Sequence, residues 1–289
     1  MVKSAYSLIS QAHKSTGIPL HVIERDYLLS WILAGISQVP ALSDTLVFKG
    51  GGTALRKCYF DDYRFSEDLD FTGLPAAPRG DNMENSIREA CEIVQQRLLK
   101  EPVNIVCKRY KERRPHPGNQ EAFKIRARLP WHNYPLTGIM VEITMDEKIL
   151  RPQQRRKIIH HYDEPLEAEI NTYSLEEVVA EKLRAVLQNV DRFKSSRWVR
   201  PRARDYYDLW HILSARKNDM DFTDFSSFLR NKCSTKNIMF TSAEDFFDDG
   251  LLALVGKDWE RSLGDIVPDP PALKMVLSDL RVQIAGLFS

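Results

Sequence analysis

The sequence predicts an α/β (α+β) chain: a first half built on a small mixed sheet with flanking helices, then a mostly helical second half. Two patterns carry this reading. Between residues 45 and 145, β-branched and aromatic runs alternate with turn signals, first around three successive glycines and then as a three-strand meander. From residue 174 onward, apolar residues recur at helical spacing. The expected division is a core domain over residues 1–165 and a helical C-terminal domain over 166–289.

Taken in order, residues 3–16 suggest a helix ended by Gly17, and Pro19 opens a second over 19–36. The second helix carries Val22, Leu28, Leu29, Ile32 and Leu33 at helical spacing, and its charges Glu24, Arg25 and Asp26 read as a solvated or salt-bridged face. Residues 45–48 form a strand feeding Gly50-Gly51-Gly52, and 53–59 suit a helical turn. A strand bearing Asp68 and Asp70 follows, then a helix over 82–100 with Ile87, Ala90, Ile93, Val94 and Leu98 inward. Strands are expected over 103–110, 122–130 and 136–145, separated by turn-rich segments such as 114–119. In the middle strand Lys124, Arg126 and Arg128 alternate with Ile125, Ala127 and Leu129, so one face is basic and one apolar. Residues 151–172 read as the domain boundary. His160 and His161 within them read as surface residues, because adjacent histidines lack the four-residue spacing of a helical metal pair. Ser174-Leu175-Glu176-Glu177 is a capping box opening a helix striped by Leu175, Val178, Val179, Leu183 and Val186. Residues 218–289 read as helices with acidic patches and no evident chemistry.

Composition sets bounds on function. An apolar content of 43% and a charged content of 28% describe an ordinary soluble chain, and 289 residues can bury a sizeable core. The net charge of +1 says nothing of a polyanionic partner, whereas the local distribution of charge does. Cys58, Cys91, Cys107 and Cys233 are widely spaced, which fits neither a zinc site nor a disulfide framework. Residues 1–20 lack a hydrophobic signal core and no apolar run approaches a membrane span, so a cytoplasmic setting without membrane association is expected.

The chemistry concentrates between residues 48 and 71. Gly50, Gly51 and Gly52 let the backbone approach a ligand and offer N–H groups with no Cβ in the way. The helical turn beginning at Thr53 would point its N-terminus at that ligand, which favours phosphate. Asp68 and Asp70 share one face of a strand, about 6–7 Å apart, and repel unless a cation sits between them. Mg²⁺ suits them, since it takes hard oxygen ligands and shares them with substrate phosphates. Mn²⁺ is the alternative. The pattern disfavours a Walker-type ATPase, because no Gly-Lys-Ser/Thr follows the glycines.

Lys49-Gly50-Gly51-Gly52-Thr53-Ala54-Leu55 together with Arg64-Phe65-Ser66-Glu67-Asp68-Leu69-Asp70 resembles the nucleotidyltransferase signature of the AbiEii/AbiGii-type toxins. These are DNA-polymerase-β-like transferases of bacterial toxin–antitoxin pairs and include the MenT toxins. The resemblance implies a polymerase-β-type core, with Asp68 and Asp70 as catalytic metal ligands. It also implies that Gly50, Gly51, Gly52, Thr53 and Ser66 cradle the phosphates of an NTP. Such folds use a third carboxylate from a neighbouring strand, for which Glu142 is the candidate and Asp146 the reserve. Glu181-Lys182-Leu183-Arg184-Ala185 resembles the family's third motif, whose lysine binds the triphosphate. By spacing alone Lys182 lies in the apolar stripe and must either snorkel out or reach a negative partner. Arg204-Asp205-Tyr206-Tyr207-Asp208-Leu209 resembles the fourth motif. Asp205 falls on the buried stripe there, the stronger site element, with Asp208 beside it and more structural.

Residues 192–204 hold six cations and two aromatics, a composition that suits phosphate backbones and exposed bases. The resemblance adds transfer of NMP from an NTP to an acceptor, tRNA by expectation, a consequent block of translation, and a cognate antitoxin. Ser66 lies two residues before Asp68, so a negative charge there, as in Ser66→Glu, is expected to abolish NTP binding. Two rival readings stand beside this one: a sugar-nucleotide glycosyltransferase using Asp-x-Asp, and a non-catalytic RNA-binding protein that keeps the fold.

Overall fold

The computed structural model describes residues 4–98, 103–110, 119–133, 137–195 and 198–288. The chain splits into two compact units, Met1–Ile149 with Gln153–Tyr173, and Leu150–Pro152 with Ser174–Ser289. The first is mixed α/β and the second is helical among its described residues. No helix among the described residues is long and apolar enough to cross a membrane.

The first unit opens with α1 (Ala5–Thr16), α2 (Leu20–Ile36) and α3 (Pro40–Ser43). Ser4 caps α1 by accepting from the Ser7 N–H, and Gly17 closes it in the left-handed conformation. β1 (Leu46–Lys49), α4 (Gly52–Cys58), β2 (Asp68–Gly73) and α5 (Asp81–Arg97) follow, then β3 (Asn104–Tyr110), β4 (Gln120–Arg128), β5 (Thr137–Thr144), β6 (Gln154–Lys157) and β7 (Glu169–Thr172). The seven strands form one mixed sheet in the order β3-β4-β5-β2-β1-β7-β6. β2 runs antiparallel to β1 and parallel to β5, which centres the sheet on the strand bearing the aspartates. Val47, Phe48, Leu69, Phe71, Phe123, Val141 and Ile143 are fully buried in its core. The alternation read in residues 122–130 holds: Ile125, Ala127 and Leu129 are buried, while Arg126 and Arg128 face solvent.

Several local expectations are corrected. Residues 151–172 are not a bare boundary, because β6 and β7 within them extend the sheet. These strands are only four residues each, and Gln154-Arg155-Arg156-Lys157 has no apolar alternation to announce a strand. His160 is no surface residue: its side chain is 3% exposed, ringed by Tyr27, Trp31 and Tyr162, and hydrogen-bonded to Glu164 at 3.0 Å. His161 is half-buried, and burial with the nearby Arg56 and Lys57 pulls its imidazole down to about 3. On α2 the salt-bridged alternative holds, with Arg25 on Glu67 and Asp26 on Arg56 and Lys57, while Glu24 accepts from Trp131; Glu24 and Asp26 are buried, so the face is not solvated. The turn expected over 114–119 lies, except for Asn119, outside the described residues.

The second unit contains α6 (Leu175–Lys194), α7 (Ala203–Arg216), α8 (Phe225–Ser234), α9 (Asp249–Leu263) and α10 (Leu273–Ala285). Leu183, Val186, Ile212, Leu229, Val255, Leu280 and Ile284 make its core. Ser174 caps α6 by accepting from the Glu177 N–H at 3.3 Å. The capping box is otherwise broken: the buried Glu177 carboxylate accepts from the Leu150 and Arg151 N–H groups and pairs with Lys232 at 2.5 Å. The buried carboxylate is satisfied by two backbone N–H groups and a charged lysine, which leaves it turned away from the Ser174 N–H.

Candidate active site

The glycine turn is built around one carboxylate. β1 ends at Lys49, and Gly50 then reverses the chain at φ +90°, a conformation that disfavours any Cβ. A Cβ on Gly50 would stand 2.6 Å from Asp70 Oδ2, so the turn packs directly on that side chain. A Cβ on Gly52 would meet the Arg64 guanidinium at 2.6 Å and the Ser66 hydroxyl at 2.7 Å. Thr53, 4% exposed, donates to the Asp68 carbonyl at 2.6 Å and hydrogen-bonds with the Ser66 hydroxyl at 2.7 Å. Thr53 thus staples the first turn of α4 to the start of β2.

The carboxylates come together through strand register. Asp70 is paired with Lys49 on β1 and with Glu142 on β5, so the three side chains share a face of the sheet. Asp68, two residues earlier on β2, lies on that face and is exposed. Burial pushes the Asp70 carboxyl up to about 7; Lys49 opposes the rise, while Glu142, Asp68 and Glu147 add to it. Asp146 sits on an exposed bend. Glu147 takes the Lys49 ammonium group and lies 3.4 Å from the Thr72 hydroxyl. Sequence reading missed Glu147 because it follows the strand's alternation and owes its place to the chain bend at residues 145–146.

A buried ionic cluster stands behind the turn. Arg56 on α4 donates from Nε to Asp26 at 2.7 Å and from Nη1 to the Tyr63 carbonyl at 2.6 Å, and covers the Phe65 ring at 3.9 Å. Lys57 pairs with Asp26 at 2.9 Å, both fully buried. Burial would raise the Asp26 carboxyl, but Arg56 and Lys57 overcome this and hold it far below the usual range. Burial pulls the Lys57 ammonium down to about 8 despite Asp26.

In the second unit, Lys182 is 7% exposed and bonds Asp205 at 2.9 Å and Asp208 at 2.6 Å. The spacing argument that Lys182 must find a negative partner is met within this unit. Asp208 is the fully buried partner, whereas the Asp205 side chain is 18% exposed, so the two exchange the depths expected from the stripe. Burial would raise Asp205, but Lys182 and Arg202 hold it below the ordinary range. Of the basic segment, Arg192, Lys194, Trp198 and Arg200 are exposed, Trp198 by 83%. Arg202 pairs with Asp205 and Arg204 donates to the Ser262 carbonyl. Ser196 and Arg197 lie outside the described residues.

The family model for the nucleotidyl transferase AbiEii toxin of type IV toxin–antitoxin systems matches residues 31–281. The chain belongs to the AbiEii family. It is a nucleotidyltransferase, and the glycosyltransferase and non-catalytic readings lose their footing. The fold is similar to that of MenT4, a nucleotidyltransferase toxin from Mycobacterium tuberculosis, at a TM-score of 0.66 and 20% identity, covering 99% of this chain and 90% of that one. An antigenic nucleotidyltransferase-like protein from Paracoccidioides brasiliensis aligns over 72% of this chain and 88% of its own, at 10% identity and a TM-score of 0.39. No curated protein matches.

AbiEii toxins, as nucleotidyltransferases, generally use an NTP and a divalent metal. The donor set fits such an ion in kind: Asp68, Asp70 and Glu142 are hard oxygen ligands gathered on one face, and the burial and neighbouring negative charge that raise Asp70 are what a cation offsets. Among the described residues, however, no group of three or more His, Cys, Asp or Glu side chains is disposed to hold a metal by itself. Mg²⁺ is commonly bound by one or two carboxylates completed by substrate phosphates, and the Asp68–Asp70 pair matches that mode.

Proposed function

We propose that this AbiEii toxin transfers a nucleoside monophosphate from an NTP to a hydroxyl of tRNA and thereby blocks translation, with a cognate antitoxin restraining it. The observation that carries this is the register setting Asp70 between Lys49 and Glu142, directly against the Gly50 turn. The acceptor oxygen attacks the α-phosphorus, the α–β bridging bond breaks, and pyrophosphate leaves. Asp70 and Glu142 are the carboxylates able to take the hydroxyl proton. The N–H groups of Gly50, Gly51 and Gly52 and the Ser66 hydroxyl receive the phosphates, with Thr53 fixing that turn relative to Asp68. Asp68 and Asp70, beside Glu142, would hold Mg²⁺ or Mn²⁺, which supplies charge neutralisation to the attacking and leaving oxygens. Lys182 is assigned to the leaving pyrophosphate, and Asp205 orients its ammonium group at 2.9 Å. Exposed Arg192, Lys194, Trp198 and Arg200 supply phosphate and base contacts for the RNA.

The test incubates purified protein with Mg²⁺, total tRNA and each labelled NTP in turn, beside Asp68→Ala and Lys182→Met. Label in tRNA with wild type alone is the expected result, with Lys182→Met raising KM for the NTP. Label in protein instead of RNA would refute the acceptor assignment, and full activity in Asp68→Ala would refute the metal site.

A further inference from the structure

The Lys49 charge acts on Asp70, and its place is specified from two sides. The strand register sets it opposite Asp70, and Glu147 takes its ammonium group. The Lys49 and Glu147 side chains are 17% and 18% exposed, so the pair is shielded from bulk water without being sealed off. Glu147 is in turn 3.4 Å from the Thr72 hydroxyl, which lies 2.6 Å from the Tyr173 hydroxyl. Asp70 thus stands among three further carboxylates, Asp68, Glu142 and Glu147, with the Lys49 charge beside it. Such crowding disfavours four negative charges unless positive charge is near.

We propose that Lys49 is a resident counter-cation beside the carboxylate cluster. Tethered by Glu147 beside Asp70, it stands in for the divalent ion in the metal-free protein and limits metal uptake until a nucleotide arrives. This rests on the divalent-metal reading of the site. A unit positive charge a few ångströms from the ion's place weakens binding by about tenfold or more at an intermediate effective dielectric. The triphosphate brings negative charge that offsets this repulsion, so metal and nucleotide bind most readily together. The device couples metal loading to substrate.

The experiment titrates Mn²⁺ alone into the full-length protein, reading free ion by electron paramagnetic resonance, without nucleotide and again with a non-hydrolysable NTP. Lys49→Met should bind Mn²⁺ about tenfold more tightly than wild type without nucleotide, and the gain should shrink with nucleotide present. Lys49→Arg, which keeps the charge, should behave as wild type. Should Lys49→Met fail to fold by thermal melt, Lys49→Gln, which keeps a hydrogen-bonding end for Glu147, decides in its place. Unchanged or weaker Mn²⁺ affinity in the neutral variant, where Asp70→Asn abolishes binding, overturns this proposal alone. Weaker NTP binding with unchanged Mn²⁺ affinity also overturns it and makes Lys49 a phosphate ligand. Absence of Mn²⁺ binding by the wild type removes the metal reading and this proposal together.

Discussion

Replacing Gly50 by alanine separates two physical effects that meet at one atom. At φ +90° an L-residue is strained, at about 1–2 kcal/mol. The new Cβ would also lie 2.6 Å from Asp70 Oδ2 and 3.1 Å from the Asp70 Cβ, so the carboxylate must turn or the strand must shift. Overpacking of this kind adds about 1–3 kcal/mol, giving a total of about 2–5. Gly17 is the internal control. It has φ +70° and nothing within 4 Å of its would-be Cβ, so Gly17→Ala should lose only the strain, about 1–2 kcal/mol. Urea denaturation of the two variants reads the difference, which is the clash with Asp70. Transfer activity reads its consequence: displacement of a reacting-centre ligand by about 1 Å can cost on the order of a hundredfold in rate, whereas Gly17→Ala should keep full activity. Gly50→Ala no less stable than Gly17→Ala, or fully active where Asp70→Asn is inactive, would refute the packing argument.

Asp26→Asn strands the buried charges of Arg56 and Lys57 and should destabilise the protein by about 3–5 kcal/mol by urea denaturation. Wild-type Lys57 titrates at about 8 in the native state against 10.5 unfolded, so between these the unfolded chain binds more protons and wild-type stability should gain from this group as pH rises from 8 to 10. His161→Gln tests the opposite end of the scale. The native imidazole titrates at about 3 and the unfolded one near the ordinary 6.5, so between these the unfolded state binds more protons and His161 costs stability as pH falls. Asp70, raised to about 7, acts with the opposite sign over much of this window, so the readout is variant minus wild type: the stability advantage of His161→Gln should grow from pH 7 to pH 4. Asp208→Asn should destabilise by about 3 kcal/mol, more than Asp205→Asn, since Asp208 is the fully buried partner of Lys182; equal losses in thermal unfolding would contradict that ranking.

What the sequence made legible is what rests on local period. The alternation in residues 122–130, the glycine run before a short helix and the stripe over residues 175–186 each settle an element from nearby residues alone. The pairing of Glu142 with Asp70 was reached only through resemblance, since a glutamate amid apolar neighbours on a strand is ordinary until the facing strand is known. Burial of charge was the least legible property. Asp26 and His160 look like solvent-facing residues because the groups that neutralise them lie far off in the chain: Arg56 and Lys57 are about thirty residues away from Asp26, and the Tyr27 and Trp31 rings more than a hundred from His160. The β6 and β7 strands were missed for the same reason, their pairing being with each other and with β1 rather than with any pattern of their own.

The buried ions explain why the turn can be held so closely on Asp70. An Asp–Arg–Lys cluster sealed from water is no bargain in stability, since apolar side chains of the same volume commonly do as well or better. What apolar packing cannot supply is direction. Arg56 reaches three separate places at once, the Asp26 carboxylate on α2, the Tyr63 carbonyl and the Phe65 ring, and each fixes α4 along a different line. Tyr63 and Phe65 belong to the segment that leads into Asp68, so the same guanidinium orients the helix after the glycines and the approach to the carboxylates. Thr53 closes the loop from the other end of α4 through the Asp68 carbonyl. The distance between the glycine turn and the strand bearing Asp68 and Asp70 is thereby fixed by two polar links and a ring contact in addition to apolar packing. A transferase that must align an α-phosphorus with an acceptor oxygen loses rate steeply when that distance drifts, which gives a buried cluster of this kind its reason to persist.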